Sequence, residues 1–303
     1  MDYITVKEAA EKWKISERMV RKYCEQGKIE GVIHAGSVWI LPMDAAQPNE
    51  VSSKKVKITP FANKVMYQRS KGYHYGIYEF IQVNLAYSSS RMASNRLTRQ
   101  QVMDVYRTGK VSVAFEPMKV DDLVEIANHF RCVQYMVDTL AEPLTSIYIR
   151  KLHQRLFRGT KADQEGEMHT GEFRKNPFKY GTMPAALPSE LMELIKEYEQ
   201  KKRVELFDII DFHARFETIR PFEDGNGRLG RVLMMKECLR HGIAPFIIDD
   251  KHRGEYLRGI KMWNTDKSAL TSVIEQAQAR FEGQKDICDL MEYCRPASGR
   301  GAR

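Results

Sequence analysis

A glycine-rich turn between two runs of helical periodicity constrains the fold of this 303-residue chain more than any other feature. The turn, residues 219–231, reads IRPFEDGNGRLGR, and we call it the motif segment. Leu206, Ile210, His213 and Phe216 precede it at helical spacing, and a second helical run follows it. The motif segment therefore joins two helices, and the domain that contains it is predicted to be mainly α-helical.

The motif segment includes a literal G-x-G-x-x-G match at residues 225–230. A dinucleotide-binding fold requires a β-strand directly before that pattern and an acidic residue about 20 positions later. A helical run stands where the strand is required, so this fold is excluded. A P-loop is excluded as well, because no Gly-Lys-Ser/Thr follows the glycines.

The chemistry of the motif segment points to a phosphate-binding turn. Free backbone N–H groups and the positive end of a helix dipole attract anions, and glycine allows a ligand to approach the backbone closely. Guanidinium groups suit phosphate oxygens, and Asp224 is a hard oxygen ligand for a phosphate-bound Mg²⁺. The phosphate-binding candidates are Gly225, Asn226, Gly227, Arg228 and Arg231.

Residues 1–45 are predicted to form a small separate domain. Thr5 and Glu8 have the spacing of a capping box, and Gly27 is a typical helix end. Two short helices across a tight turn, followed by a hairpin, are typical of a helix-turn-helix with a wing. The predicted elements are helices over Val6–Trp13 and 17–26, then strands over 31–34 and 38–41.

Composition limits the class of protein. No apolar run approaches the roughly 18–20 residues of a membrane helix, and the first residues lack the pattern of a signal peptide. Five scattered cysteines favour a reducing compartment over a disulfide framework. We therefore expect a cytoplasmic protein without a membrane partner, with a polar linker over 46–60 and a short tail over 296–303.

The net charge of +8 is concentrated in one part of the sequence. Residues 1–50 sum to −1 and residues 51–110 to +9, so the remaining residues sum to zero. A basic stretch of this kind either attracts nucleic acid or another polyanion, or forms a solvated face that balances acidic surface elsewhere.

The first 45 residues resemble the winged helix-turn-helix domains of excisionase and MerR type. The similar stretches are ITVKEAA from Ile4, Ser16 to Val20, and GSVWILP ending at Pro42. In that family the second helix enters the major groove. The resemblance implies that DNA is a partner, although an accessory protein-binding domain remains open because the segment is slightly acidic. The DNA-binding candidates are Arg18, Arg21 and Lys22.

The motif segment closely resembles the active-site motif of Fic-domain proteins, HxFx(D/E)GNGRxxR, and matches every defined position but the first. The resemblance implies a mainly α, helical Fic-like core over 61–295 with a small β-hairpin flap at 171–183. Members mostly transfer AMP from ATP to a protein hydroxyl, so the implied cofactors are ATP and Mg²⁺. The resemblance assigns Mg²⁺ to Asp224, the β- and γ-phosphates to Arg228 and Arg231, loop anchoring to Phe222 and, more weakly, the adenine pocket to Tyr256.

The first motif position departs from the family. The family's general base there is a histidine, and this chain has Arg220. Arginine stays protonated in proteins and cannot accept a proton from the attacking hydroxyl. Loss of a positioned base costs about 10²–10⁴-fold in rate. We therefore expect an adenylyltransferase scaffold with severely impaired transfer at residues 220–231.

A second departure lies at residues 88–98, which resemble the family's inhibitory segment, [ST]xxxE[GN]. Ser89 matches the first position, but Ala93 replaces the inhibitory glutamate and Ser94 replaces Gly/Asn. The resemblance then implies that Arg231 is free for a γ-phosphate. The alternative function is a non-catalytic DNA-binding regulator whose Fic-like domain binds nucleotide or a partner protein.

Overall fold

The computed structural model describes residues 3–25, 29, 31–35, 38–43, 45, 58–111 and 118–293. The chain divides into two compact units, Met1–Lys54 and Lys55–Arg303. The division lies inside the predicted linker, of which residues 46–57 are outside the described part. The tail 296–303, Gly27 and the turn at 36–37 also lie outside it.

The first unit packs two helices on a three-stranded antiparallel sheet of order β1-β3-β2. Thr5 closes the predicted capping box, since its side chain accepts from the Glu8 N–H while Glu8 accepts from the Thr5 N–H. Strand β1, which the sequence analysis did not anticipate, is too short for periodicity to show and pairs Ile4 with Leu41. The elements are β1 (Tyr3–Thr5), α1 (Val6–Trp13), α2 (Glu17–Glu25), β2 (Ile33–Ala35) and β3 (Val38–Pro42).

The second unit contains helices joined by turns and loops, with no strand among its described residues. Short 3₁₀ turns at Pro184–Ala186 and Asp250–His252 connect some of the helices. The helices are α3 (Pro60–Ser70), α4 (Ile77–Met92), α5 (Arg99–Thr108), α6 (Val120–Asp138), α7 (Ser146–Phe157), α8 (Lys161–Gln164), α9 (Leu187–Glu199), α10 (Leu206–Ile219), α11 (Asn226–His241), α12 (Arg253–Met262) and α13 (Ser268–Tyr293). The predicted mainly α class, with a small antiparallel sheet, is confirmed.

Helix α11 is the centre of the second unit. It packs against α10, α4, α6 and α7, and nearly all of its residues are buried, polar ones included. Lys236 is fully buried and donates to Glu237 (Nζ to Oε1, 2.9 Å) and to the Glu142 carbonyl. Neighbouring cations hold the pKa of Glu237 at about 2 despite its burial. These pairs keep charged groups satisfied inside the core, so α11 forms a rigid base for the motif segment.

None of the described helices is long and apolar enough to cross a bilayer.

Candidate active site

The motif segment connects α10 to α11 through backbone conformations of positive φ. Helix α10 ends at Ile219 with Arg220 as its C-cap, whose φ is 49°, and α11 begins after Gly225, whose φ is 77°. Asn226 holds the turn closed, since its Oδ1 accepts from the Phe222 N–H (3.0 Å) and its Nδ2 donates to the Phe222 carbonyl (2.8 Å). The Asn226 amide, predicted to cradle phosphate, is thus engaged within the turn itself.

The Phe222 ring anchors the turn in the core. It is fully buried and stacks on the His153 ring with centroids 4.0 Å apart. His153 Nδ1 accepts from the Gly171 N–H (2.9 Å), which leaves Nε2 to donate to the Asp224 carbonyl (3.2 Å). Burial lowers the pKa of His153 to about 4, so the ring is neutral at pH 7, as these two roles require. Sequence analysis did not identify this residue, because a lone histidine on α7 has no partner at a recognisable spacing.

The start of α11 presents backbone donors with no side-chain cap. Gly225 is the N-cap, and its N–H donates to Asp224 Oδ1 (2.6 Å). An uncapped helix N-terminus next to a glycine-rich turn is a ready anion site. This arrangement is what a phosphate-binding role for the motif segment requires.

Replacement of Gly225 by alanine is expected to destabilise the turn. An added Cβ would lie 2.4 Å from Phe157 Cε2, and φ at this position is positive. Overpacking and backbone strain together should lower the free energy of unfolding by about 3 kcal/mol. Urea denaturation measures the loss. Gly166→Ala is the matched control, because Gly166 also has positive φ but has open space at its Cβ position. Equal losses for the two variants would contradict the packing argument.

Arg228 is almost wholly buried between two carboxylates. Its guanidinium contacts Asp224 Oδ2 at 2.7 Å and Glu125 Oε1 at 3.0 Å, and lies 4.7 Å from the centre of the Phe157 ring. Glu125, on α6, was not anticipated from the sequence. These ion pairs tie the motif segment to α6, and a phosphate at Arg228 has to compete with them.

Arg231 is also buried, and its contacts correct one expectation. Its Nε donates to Ser89 Oγ (2.9 Å) and its Nη2 to the Ser89 carbonyl (3.1 Å). The presence of Ala93 in place of the inhibitory glutamate implied a free guanidinium. The structure shows instead that these hydrogen bonds hold it. Ser89, on α4, satisfies it instead with two neutral acceptors.

A buried histidine–tyrosine pair lies next to Arg231. His213 Nε2 and the Tyr256 hydroxyl are 2.5 Å apart, and that hydroxyl also accepts from Arg231 Nη1 at 3.4 Å. Burial, with Arg231 adding to it, lowers the pKa of His213 to about 3. His213 is therefore a neutral packed residue and a poor proton acceptor at neutral pH. Tyr256 is fully buried against it.

Glu217, Gly227 and Arg231 lie close together. The position of an added Gly227 Cβ is 3.0 Å from both Glu217 Oε1 and Arg231 Nη1. Glu217 Oε1 is buried and has no hydrogen-bond partner among the described residues, and burial raises the pKa of this carboxyl. Its position one helical turn before Arg220 was the only sequence signal available.

Arg220 occupies the base position of the motif with an exposed side chain. Its guanidinium carbon is 4.9 Å from the centre of the Phe178 ring, and Arg174 lies over the same ring at 4.6 Å. Two cations therefore flank one aromatic ring at the motif's first position. This position carries positive charge and lacks a group that can accept a proton.

The β-hairpin flap predicted at 171–183 is wrong in its form. This segment contains turns and no strand. The Arg174 side chain instead donates to the carbonyls of Arg220, Asn176 and Thr182. The Arg174 N–H also donates to the Pro221 carbonyl (2.9 Å), so the loop is attached directly to the motif segment.

The residues aligned with the inhibitory segment end helix α4. Met92 is its last residue, Ala93 is the C-cap, and Ser94 follows with φ 73°. Asn95 closes the turn, since its N–H donates to the Ser90 carbonyl (3.0 Å) and its Oδ1 accepts from the Leu97 N–H (3.1 Å). The turn is therefore intact without the family's glutamate.

Ser94→Gly is expected to stabilise the protein slightly. Glycine removes the Cβ penalty of positive φ but gains freedom in the unfolded chain, so we expect about 0.5–1 kcal/mol. Thermal denaturation measures the change, and Ser94→Ala, which keeps the Cβ, is the matched control. Equal midpoints for the two variants would show that φ carries no strain there.

The described residues contain no cluster of three or more His, Cys, Asp or Glu side chains suited to a metal. Asp224 alone is an exposed carboxylate beside the uncapped start of α11. Mg²⁺ in nucleotide sites is commonly held by one or two carboxylates plus substrate phosphates. The donor set therefore fits a nucleotide-borne Mg²⁺ and not a metal held by protein alone.

The comparisons with known proteins agree with this architecture. Residues 143–238 match the Fic/DOC family. The matched stretch includes the motif segment, α7 and the loop 171–183. Curated relatives include proteins called "Protein adenylyltransferase Fic". The one from Drosophila mojavensis is 29% identical over 187 residues, 59% of this chain and 36% of the relative, and the one from Aedes aegypti is 28% identical over 188 residues with the same coverage.

The chain thus spans about a third of the length of these relatives. Among solved structures, a Fic domain-containing signalling protein from Bacteroides thetaiotaomicron has a TM-score of 0.60 at 18% identity, over 78% of this chain and 91% of that one. Fic-1 from C. elegans has a TM-score of 0.56 at 18% identity, over 75% and 72%. These likenesses show the fold of the Fic/DOC domain.

Proposed function

We propose that the second unit is a Fic-family protein adenylyltransferase scaffold that binds Mg²⁺·ATP and transfers AMP to a protein hydroxyl poorly. One observation carries the proposal, namely the uncapped start of α11 behind Gly225, with Asp224 and Arg220 beside it, inside the stretch that matches the Fic/DOC family. The names of the curated relatives support AMP transfer as the reaction class.

In this proposal the residues of the motif segment bind and orient the nucleotide. Arg220, at the first motif position, does not move the proton. The backbone at Gly225–Gly227 takes phosphate oxygens, Asp224 holds Mg²⁺, and the bound metal supplies charge neutralisation at the phosphates. Arg231 binds a phosphate only after its hydrogen bonds to Ser89 break. Arg228 does so only after one of its ion pairs with a carboxylate breaks. The missing step is removal of the proton from the target hydroxyl, since Arg220 stands in the base position.

The test is transfer of label from ATP to protein, with α- and γ-labelled ATP in parallel. We expect weak labelling from the α-phosphate and none from the γ-phosphate, because AMP transfer leaves the γ-phosphate in pyrophosphate. Labelling from the γ-phosphate alone would show phosphoryl transfer and contradict the proposal. Absence of ATP binding by calorimetry would contradict the scaffold itself.

A second candidate function is DNA binding by the first unit. Arg18, Arg21 and Lys22 are exposed on α2, the second helix of the helix-turn-helix arrangement, and Arg21 pairs with Glu17 at 2.7 Å. A gel-shift assay tests it. Binding should fall steeply as salt rises and weaken with Arg18→Gln and Lys22→Gln, because phosphate contacts release counterions. Insensitivity to both changes would exclude this role for α2.

A further inference from the structure

A cavity of about 660 Å³ opens on the second unit, and none of its lining residues belongs to the motif segment. Helix α3 contributes Arg69, α6 contributes Arg131 and Asp138, and α7 with the turn after it contributes Arg155 and Arg158. Four arginines from three helices therefore face one space that contains a single carboxylate. An arrangement of this kind has an excess of positive charge.

Most of this charge is not neutralised by protein. Arg69 pairs with Asp138 at 3.1 Å. Arg131 donates to the neutral Asn128 Oδ1 (2.8 Å) and Arg155 to the Lys151 carbonyl (3.1 Å). Within the described ranges, neither of these two guanidiniums nor that of Arg158 is paired with a carboxylate.

Three of the four guanidiniums therefore lack a counter-charge within the described residues, namely those of Arg131, Arg155 and Arg158. An anion in the cavity supplies that charge, whereas Arg69 is already paired with Asp138.

The cavity offers little to a nucleobase. Its aromatic side chain, Tyr135, already has the Arg155 guanidinium 3.9 Å from its ring centre and the Tyr148 ring stacked at 5.5 Å. The volume is that of a small-molecule site, for which about 300–1,000 Å³ is usual. Planar guanidiniums match phosphate oxygens particularly well.

We propose that this cavity is a second ligand site, for a small molecule that carries several phosphate groups and is recognised through its phosphates. The site is independent of the motif segment and of the proposed transfer reaction. Its affinity follows the number of phosphates and falls with ionic strength, since Arg131 and Arg158 are exposed to solvent.

Calorimetric titration of the full chain with tripolyphosphate tests the proposal. We expect Arg131→Gln and Arg158→Gln each to weaken binding about tenfold, the scale of one charge-assisted hydrogen bond. Arg203→Gln removes the same charge from a side chain that is 86% exposed and lies outside the cavity, and should leave affinity unchanged. Thermal denaturation confirms that each variant is folded.

Asp138→Asn provides a test of opposite sign, since it removes the carboxylate that pairs with Arg69 and should tighten tripolyphosphate binding. ATP and GTP should bind this site alike, and adenosine should not compete with tripolyphosphate. Competition by adenosine would overturn recognition through phosphate. No binding at all, or binding unchanged in all three cavity variants, would overturn the site.

Discussion

Arg220→His is expected to raise the transfer of AMP label to protein by about 10²–10⁴-fold, the usual contribution of a positioned general base. Arginine cannot give up its proton at neutral pH, whereas an imidazole with a pKa of about 6.5 can accept one. The Arg220 side chain is exposed, so a histidine there keeps solvent access. Histidine is also among the residues that tolerate positive φ, which is 49° at this position.

Arg220→Gln separates the gain of a base from the loss of a charge. Glutamine removes the guanidinium that lies over Phe178 but cannot accept a proton at neutral pH, so labelling should stay as low as with Arg220. If glutamine restored labelling as well as histidine, charge repulsion would be the defect and the base assignment would be wrong. ATP affinity, measured for all three proteins, distinguishes a changed chemical step from changed binding.

Stability is expected to fall sharply as the pH is lowered from 6.5 towards 4. Three histidines of the second unit are buried, and burial lowers the pKa of His129 to about 3, of His153 to about 4 and of His213 to about 3. The unfolded chain binds protons at these residues near pH 6.5 while the native protein does not. The stabilisation is therefore complete above pH 6.5 and is lost as the pH falls through the native values. Each histidine contributes up to about 1.4 kcal/mol per pH unit in that window.

Urea denaturation at pH 7, 6 and 5 measures this dependence, provided that the m-value stays constant. His213→Gln should lower overall stability and reduce the pH slope by about one proton, whereas exposed His169→Gln should leave the slope unchanged. The buried carboxyl of Glu217, whose pKa is raised from 4.5, acts in the opposite sense above that pH. A flat profile between pH 7 and 5 would contradict neutral buried histidines.

Local rules accounted for much of the fold. The capping box of Thr5 and Glu8 starts α1 as expected, and helical periodicity predicted the helices on both sides of the motif segment. Helix α11 begins at Asn226, inside the motif segment, because Gly225 is the N-cap and the first turn carries the polar motif residues. The predicted hairpin is absent at 171–183. The Arg174 side chain there donates hydrogen bonds to the Arg220 and Thr182 carbonyls.

The sequence by itself determined that a glycine-rich turn joins two helices, and it predicted an anion site at the start of the second. These features depend on residues within a few positions of one another, where backbone hydrogen bonds and glycine conformations act. The tertiary structure decided which arginine side chains are available to bind an anion. Arg231 is held by Ser89, 142 residues away, and four arginines from α3, α6, α7 and the turn after α7 line one cavity. Contacts of this kind depend on how helices pack in space, and no local pattern of residues contains that information.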